Sequence, residues 1–144
     1  MAVYSSVLDL IGNTPTVDVS CLSPNPLVRI FAKLEGQNPA GSVKDRIAKA
    51  MVDEAEKDGT LSPGSTIIEP SSGNTGIALA MISRLRGYHL KVVLPKNVSV
   101  ERRQMLEVFG AEIIDSPGEE GSNGAVRMAQ HLAIVGPQVA LQGD

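Results

Sequence analysis

Two stretches of this 144-residue chain carry residue types that could do chemistry together. The first is "GSVKDR", residues 41–46, which leads into a run from Ile47 to Asp58 that reads as a helix. Ser42, with Asp45 three residues on, resembles a capping box with Asp in place of Glu, which makes Lys44 the second helical residue. A cation there faces the positive end of the macrodipole, at a cost of roughly 0.3–1 kcal/mol. One reading is an exposed lysine whose charge water screens. The other is a reactive amine, because a helix N-terminus disfavours the ammonium and the neutral amine is the form that attacks carbonyls.

The second stretch is "EPSSGNTGIALA", from Glu69 to Ala80. A strand runs into Pro70, then a loop of small polar residues and glycines, then a helix. Gly73 and Gly76 allow backbone N–H groups to approach a ligand, and the helix N-terminus adds positive potential. Ser71, Ser72 and Thr75 offer hydroxyls and Asn74 an amide. The loop suits an anion, either a phosphate or a carboxylate; the plainer alternative is a strand-to-helix connection capped by a hydroxyl. It lacks the Lys-Ser/Thr pair of a Walker loop, and its glycine spacing differs from the dinucleotide fingerprint. A lysine on one helix start and an anion cradle on another suggest a carbonyl-bearing cofactor and an anionic substrate.

The elements that must bring these stretches together read as alternating strands and helices. Strands are expected at 28–35, 65–69, 90–94, 111–115 and 138–142, and helices at about 74–86, 99–109 and 122–134. Ser99 and Ser122 are candidate N-caps, and Gly59, Gly87 and Gly110 stand where helices should stop. In the first helix, Val43, Ile47, Ala50, Met51 and Ala55 form the expected apolar stripe. Gly12-Asn13-Thr14-Pro15 is a turn. This order predicts an α/β fold, an open parallel sheet with helices on both faces and right-handed crossovers. Ligands should bind beyond the carboxyl ends of its strands.

Composition narrows the function classes. A net charge of -3, with no Trp, two Phe and two Tyr, argues against a nucleic-acid partner. No apolar run approaches the ~20 residues that span a membrane. "MAVYSSVLDL" lacks the features of a signal peptide, so a cytoplasmic location is expected. Cys21, the only cysteine, reads as a small buried apolar residue. His89 and His131 have no ligand-spaced partners, so no metal site is expected. Met51, Met81, Met105 and Met128 read as core filler, and Arg102 and Arg103 as a solvated face.

The four stretches "IGNTP", "LEGQNPAGSVKDR", "EPSSGNTGIALA" and "SVERRQMLEVFGAEII" together resemble the cysteine synthase (O-acetylserine sulfhydrylase) family. That family belongs to the β-family, or fold type II, of pyridoxal-phosphate enzymes, which also includes cystathionine β-synthase. The resemblance runs from Val7 to Gly124 without a large gap. It implies that Lys44, in the family's N-P-x-x-S-x-K-x-R pattern, carries the cofactor as a Schiff base, and that Asn74 bonds the cofactor's ring hydroxyl oxygen. Ser71, Ser72, Gly73 and Thr75 would hold the substrate's α-carboxylate.

The implied reaction is replacement of the β-substituent of an activated serine: O-acetylserine and sulfide give cysteine and acetate. Alternatives in the superfamily are cystathionine synthesis, an O-phosphoserine substrate, or serine/threonine dehydration; outside it stands a non-catalytic module that binds a small anion. Thr16 replaces a usual leucine, and Ser72 lies where the branches vary. The family continues into a second domain, with a glycine-rich loop for the cofactor phosphate and a partner for the pyridine nitrogen. Residues 1–144 therefore read as the single N-terminal α/β domain, expected to be inactive alone, of a protein that is a homodimer when full length.

Overall fold

The computed structural model describes residues 2–71, 73–135 and 138–140. Its centre is a sheet of four strands, β3 (Thr66–Glu69), β4 (His89–Pro95), β5 (Glu112–Ser116) and β6 (Gln138–Ala140), ordered β5-β4-β3-β6. All its pairings are parallel, with Ile67 opposite Leu90, Val93 opposite Ile114 and Ile67 opposite Val139. Such strands are covered on both faces, which is why "TIIE" and "KVVL" show little polar alternation. Ile67, Val92 and Leu94 enter one apolar layer, and Ile68 and Val93 the other.

Four helices supply the cover: α1 (Lys44–Lys57), α2 (Asn74–Arg86), α3 (Val100–Val108) and α4 (Gly121–Val135). Ala48 and Val52 of α1, Leu79 and Ile82 of α2 and Leu106 of α3 fill the first layer. Ala125 and Ala129 of α4 fill the second, so helices lie on both faces as expected. The chain steps outward from β3 to β4 to β5, and α4 then carries it back to the other side of β3. The strand order reverses beside β3, and the crevice at the carboxyl end of β3 is where such sheets hold ligands. Gly87 (φ 77°) and Gly110 (φ 81°) turn left-handed just after α2 and α3 and stop them as expected.

Several expectations fail in instructive ways. Of the strand expected over 28–35, only β2 (Phe31–Lys33) forms, and it leaves the parallel sheet to pair antiparallel with β1 (Thr16–Asp18). β1 had no visible pattern, since its three residues are all exposed. The buried stripe of α1 is Asp45, Ala48, Val52 and Ala55; Val43 and Ile47 stay 43% and 42% exposed. The packing chooses the small side chains because α1 lies against α2, itself buried on several sides. Ser122 is inside α4, which begins at Gly121, and Ser99 precedes α3 without a side-chain cap bond. Cys21 is exposed in a short 3-10 turn rather than buried. Met105 is also exposed, on the outer side of α3, whereas Met81 is core.

Candidate active site

Both stretches are helix starts: Lys44 opens α1 and Asn74 opens α2. α2 joins the parallel strands β3 and β4 and so runs back against them, and α1 packs beside it in the same apolar layer. Their far ends are fastened together. Arg86 of α2 donates from Nη1 to Glu56 Oε2 at 2.8 Å and bonds Asp53 with its other nitrogen, and Tyr88 donates to Glu56 at 2.9 Å. Lys44 precedes Glu56 by the same number of residues as Asn74 precedes Arg86. Both helix starts therefore lie at the ends of α1 and α2 away from this fastening. Each start carries the positive end of its helix dipole.

Lys44 is the first residue of α1, one position earlier than the sequence suggested. The expected capping box does not close as drawn. Ser42 Oγ accepts the N–H of Lys44 at 3.1 Å, and Asp45 Oδ2 reaches back to the N–H of Ala40 at 2.6 Å. Asp45 is wholly buried, and its Oδ1 has no hydrogen-bond partner among the described residues. Burial pushes its carboxyl above the usual range, against the pull of the nearby N–H groups of Ala40, Asp45 and Ser42. The Lys44 side chain is half-buried, and among the described residues no carboxylate lies within ion-pair distance of it.

The loop after β3 folds back over the first turn of α2. A Cβ on Gly76 would lie 2.4 Å from the carbonyl oxygen of Ser71, so only glycine permits this approach. At Gly73 a Cβ would meet nothing nearer than Ser71 Oγ at 4.0 Å; its absence there leaves space rather than relieving a clash. The N–H of Gly73 donates to Ser71 Oγ at 3.4 Å. Among the described residues no side chain caps α2, which leaves its first N–H groups to a ligand. Asn74 is exposed, Ser71 and Thr75 are half-buried, and Ser72 lies outside the described residues.

Two features of this region were not recognised from the sequence. Glu69, the last residue of β3, is only 9% exposed, and desolvation pushes its carboxyl up to about 7. Strand alternation puts it on the same face as Ile67, the face that α1 and α2 cover. The other is a polar cluster around Arg46. Its Nε donates to Glu35 Oε2 at 2.9 Å, and its Nη2 to Glu35 Oε1 at 3.1 Å and to Thr14 Oγ1 at 3.0 Å. Thr14 donates to Glu35 Oε1 at 2.9 Å, and Asn38 Nδ2 to Glu35 Oε2 at 2.9 Å. Asn38 Oδ1 accepts the N–H of Gly12 at 2.9 Å. With the guanidinium beside it, the Glu35 carboxyl is held down to about 2. "IGNTP" and "LEGQNPAGSVKDR" are thus one physical unit.

Comparison with known proteins gives the family and the fold. The chain belongs to the family described as pyridoxal-phosphate dependent enzyme, whose model matches residues 7–141. It is 49% identical over 129 residues to cysteine synthase B of Escherichia coli (strain K12), covering 90% of this chain and 43% of that protein. The crystal structure of cysteine synthase from Entamoeba histolytica superposes with a TM-score of 0.91 at 38% identity, covering 97% of this chain and 43% of that one. O-ureido-L-serine synthase matches with a TM-score of 0.87 at 43% identity, covering 92% and 42%. The chain spans less than half the length of these relatives.

Proposed function

We propose that the full-length protein is a cysteine synthase, which replaces the acetoxy group of O-acetylserine with sulfide and releases cysteine and acetate. The observation that carries this reading is a lysine that opens one helix with no ion pair among the described residues, beside a glycine-rich entry to the helix fastened to it. The residues suit pyridoxal phosphate. Lys44 offers an amine with no competing carboxylate among the described residues, Asn74 an exposed amide for the ring hydroxyl oxygen, and Gly73 the space a side chain would fill. When bound, that cofactor supplies the electron sink that makes the substrate's α-proton removable.

The chain's own groups do the rest. The N–H groups at the start of α2, with Ser71 and Thr75, receive the substrate carboxylate; Ser72 is assigned to the same task by the resemblance. This fixes the direction of the Cα–H bond. Lys44 Nζ would take the α-proton and later return it. The Cβ–O bond to acetate breaks and a Cβ–S bond to sulfide forms, so one substituent is exchanged with no net redox change. The resemblance also supports a cytoplasmic homodimer for the full-length protein.

The test is borohydride reduction of the cofactor-loaded protein followed by peptide mapping. The label is expected on Lys44. Label on Lys33 or Lys49 instead would remove the assignment, and no label at all would favour the anion-binding module.

A further inference from the structure

We infer that Arg46 is a positioning residue for Lys44, clamped by Glu35 and Thr14 so that the start of α1 presents its amine at a fixed place. The inference rests on the proposed role of Lys44 and deepens it. Residues two apart on a helix project about 200° from one another, so Arg46 cannot act on the amine by contact. It acts through the backbone they share.

The clamp is built from parts far apart in the chain. Thr14 lies in the Gly12–Pro15 turn, Glu35 opens the short 3-10 turn Glu35–Gln37, and Asn38 ties that turn to Gly12. Arg46 is the one group on α1 that bonds both Thr14 and Glu35. The turn itself is held in an uncommon shape. Gly12 has φ 92° and Asn13 φ 47°, and a Cβ on Gly12 would approach Arg46 Nη1 to 3.1 Å. Two consecutive left-handed residues are costly outside glycine. They are kept here because they let the turn close over the guanidinium. On the loop side, Asp45 holds Ala40 and Ser42 holds the N–H of Lys44 itself. The residues on either side of Lys44 therefore tie the first turn of α1 to three separate segments, while its amine is left out of every one of these bonds among the described residues.

A lysine ammonium cannot replace this fork, since it lacks the planar pair of donors that grips a carboxylate from two directions. The test compares Arg46→Lys with Asp53→Asn, which loosens the opposite end of α1 by removing a partner of Arg86 and Lys49. Two readouts are taken from each protein: amide hydrogen exchange in the first turn of α1, and the share of borohydride-trapped pyridoxal phosphate found on Lys44. Arg46→Lys should speed exchange of that turn about tenfold and lower the Lys44 share several-fold. Asp53→Asn should lower the unfolding midpoint and leave both readouts unchanged.

If Arg46→Lys does not fold, Thr14→Val, which removes one hydroxyl, carries the same test with a smaller shift. Unchanged exchange and labelling in Arg46→Lys, or equal changes in Asp53→Asn, overturn the inference. Wild-type label on another lysine overturns the role of Lys44 instead, and hydrogen exchange then still decides whether Arg46 orders this turn.

Discussion

Arg86 and Glu56 meet at 2.8 Å where α2 and α1 end, which fastens together the far ends of the two helices that Asn74 and Lys44 open.

Lys44→Ala should fold and be as stable as the parent or slightly more so, by up to about 0.5 kcal/mol. The substitution removes a cation from the positive end of α1 and breaks no ion pair among the described residues. Urea denaturation measures the stability, and peptide mapping should find the cofactor label gone. A loss above about 1 kcal/mol would mean that the side chain has a structural partner.

Thr75→Ala and Asn74→Ala should part company. Loss of the Thr75 hydroxyl should weaken amino-acid binding by about 1–3 kcal/mol, as for a hydrogen bond to a charged group, and leave the absorbance of the cofactor-loaded protein in place. Asn74→Ala should move that absorbance. Identical behaviour in titrations of the two variants would contradict the division between substrate and cofactor.

Gly76→Ala should be among the most damaging single changes. Its Cβ would meet the Ser71 carbonyl at 2.4 Å, a backbone atom that cannot swing aside as a side chain does. Overpacking of this kind costs typically 1–3 kcal/mol. It should also push the loop off α2, so thermal unfolding and anion binding should both suffer. Gly73→Ala should fold normally, because its Cβ enters open space, and should lose ligand binding selectively.

Glu69 gives stability a pH dependence of known sign. Its carboxyl is raised from 4.5 to about 7 by burial, so the contribution is fully present below pH 4.5 and is lost as pH rises through about 7. The loss is on the order of 3 kcal/mol at most. Glu69→Gln should flatten the unfolding midpoint across that window. Glu35 has the opposite sign: held at about 2 by Arg46, it contributes above its ordinary value of 4.5 and fades as pH falls toward 2.

The alternation of β3, α2, β4, α3 and β5 was legible because each element carries its own pattern and each helix its stop glycine. The two motifs of the site were legible for a related reason, since a lysine at a helix start and a glycine-rich helix entry are local anomalies. What escaped was non-local. Nothing near Arg46 in sequence announces Thr14 as a partner 32 residues away. Nor could alternation show that β2 would pair with a three-residue strand. The apolar stripe of α1 was misjudged because residue type favoured Ile47 and Val43, whereas close approach to α2 favoured Ala48 and Ala55. Glu69 sits within an apolar strand, where a buried carboxyl could have been suspected from its position alone.

The parallel arrangement of α1 and α2 has a consequence for folding itself. Side by side, their aligned dipoles repel, and among the described residues no side chain caps the positive end of α2. An anion placed there relieves both effects, so the ligand is coupled to the native state as well as to the reaction. At a concentration a hundred times its dissociation constant, such a ligand adds about 2.7 kcal/mol to stability. An anion that binds these helix starts is then expected to raise the unfolding midpoint as its concentration rises.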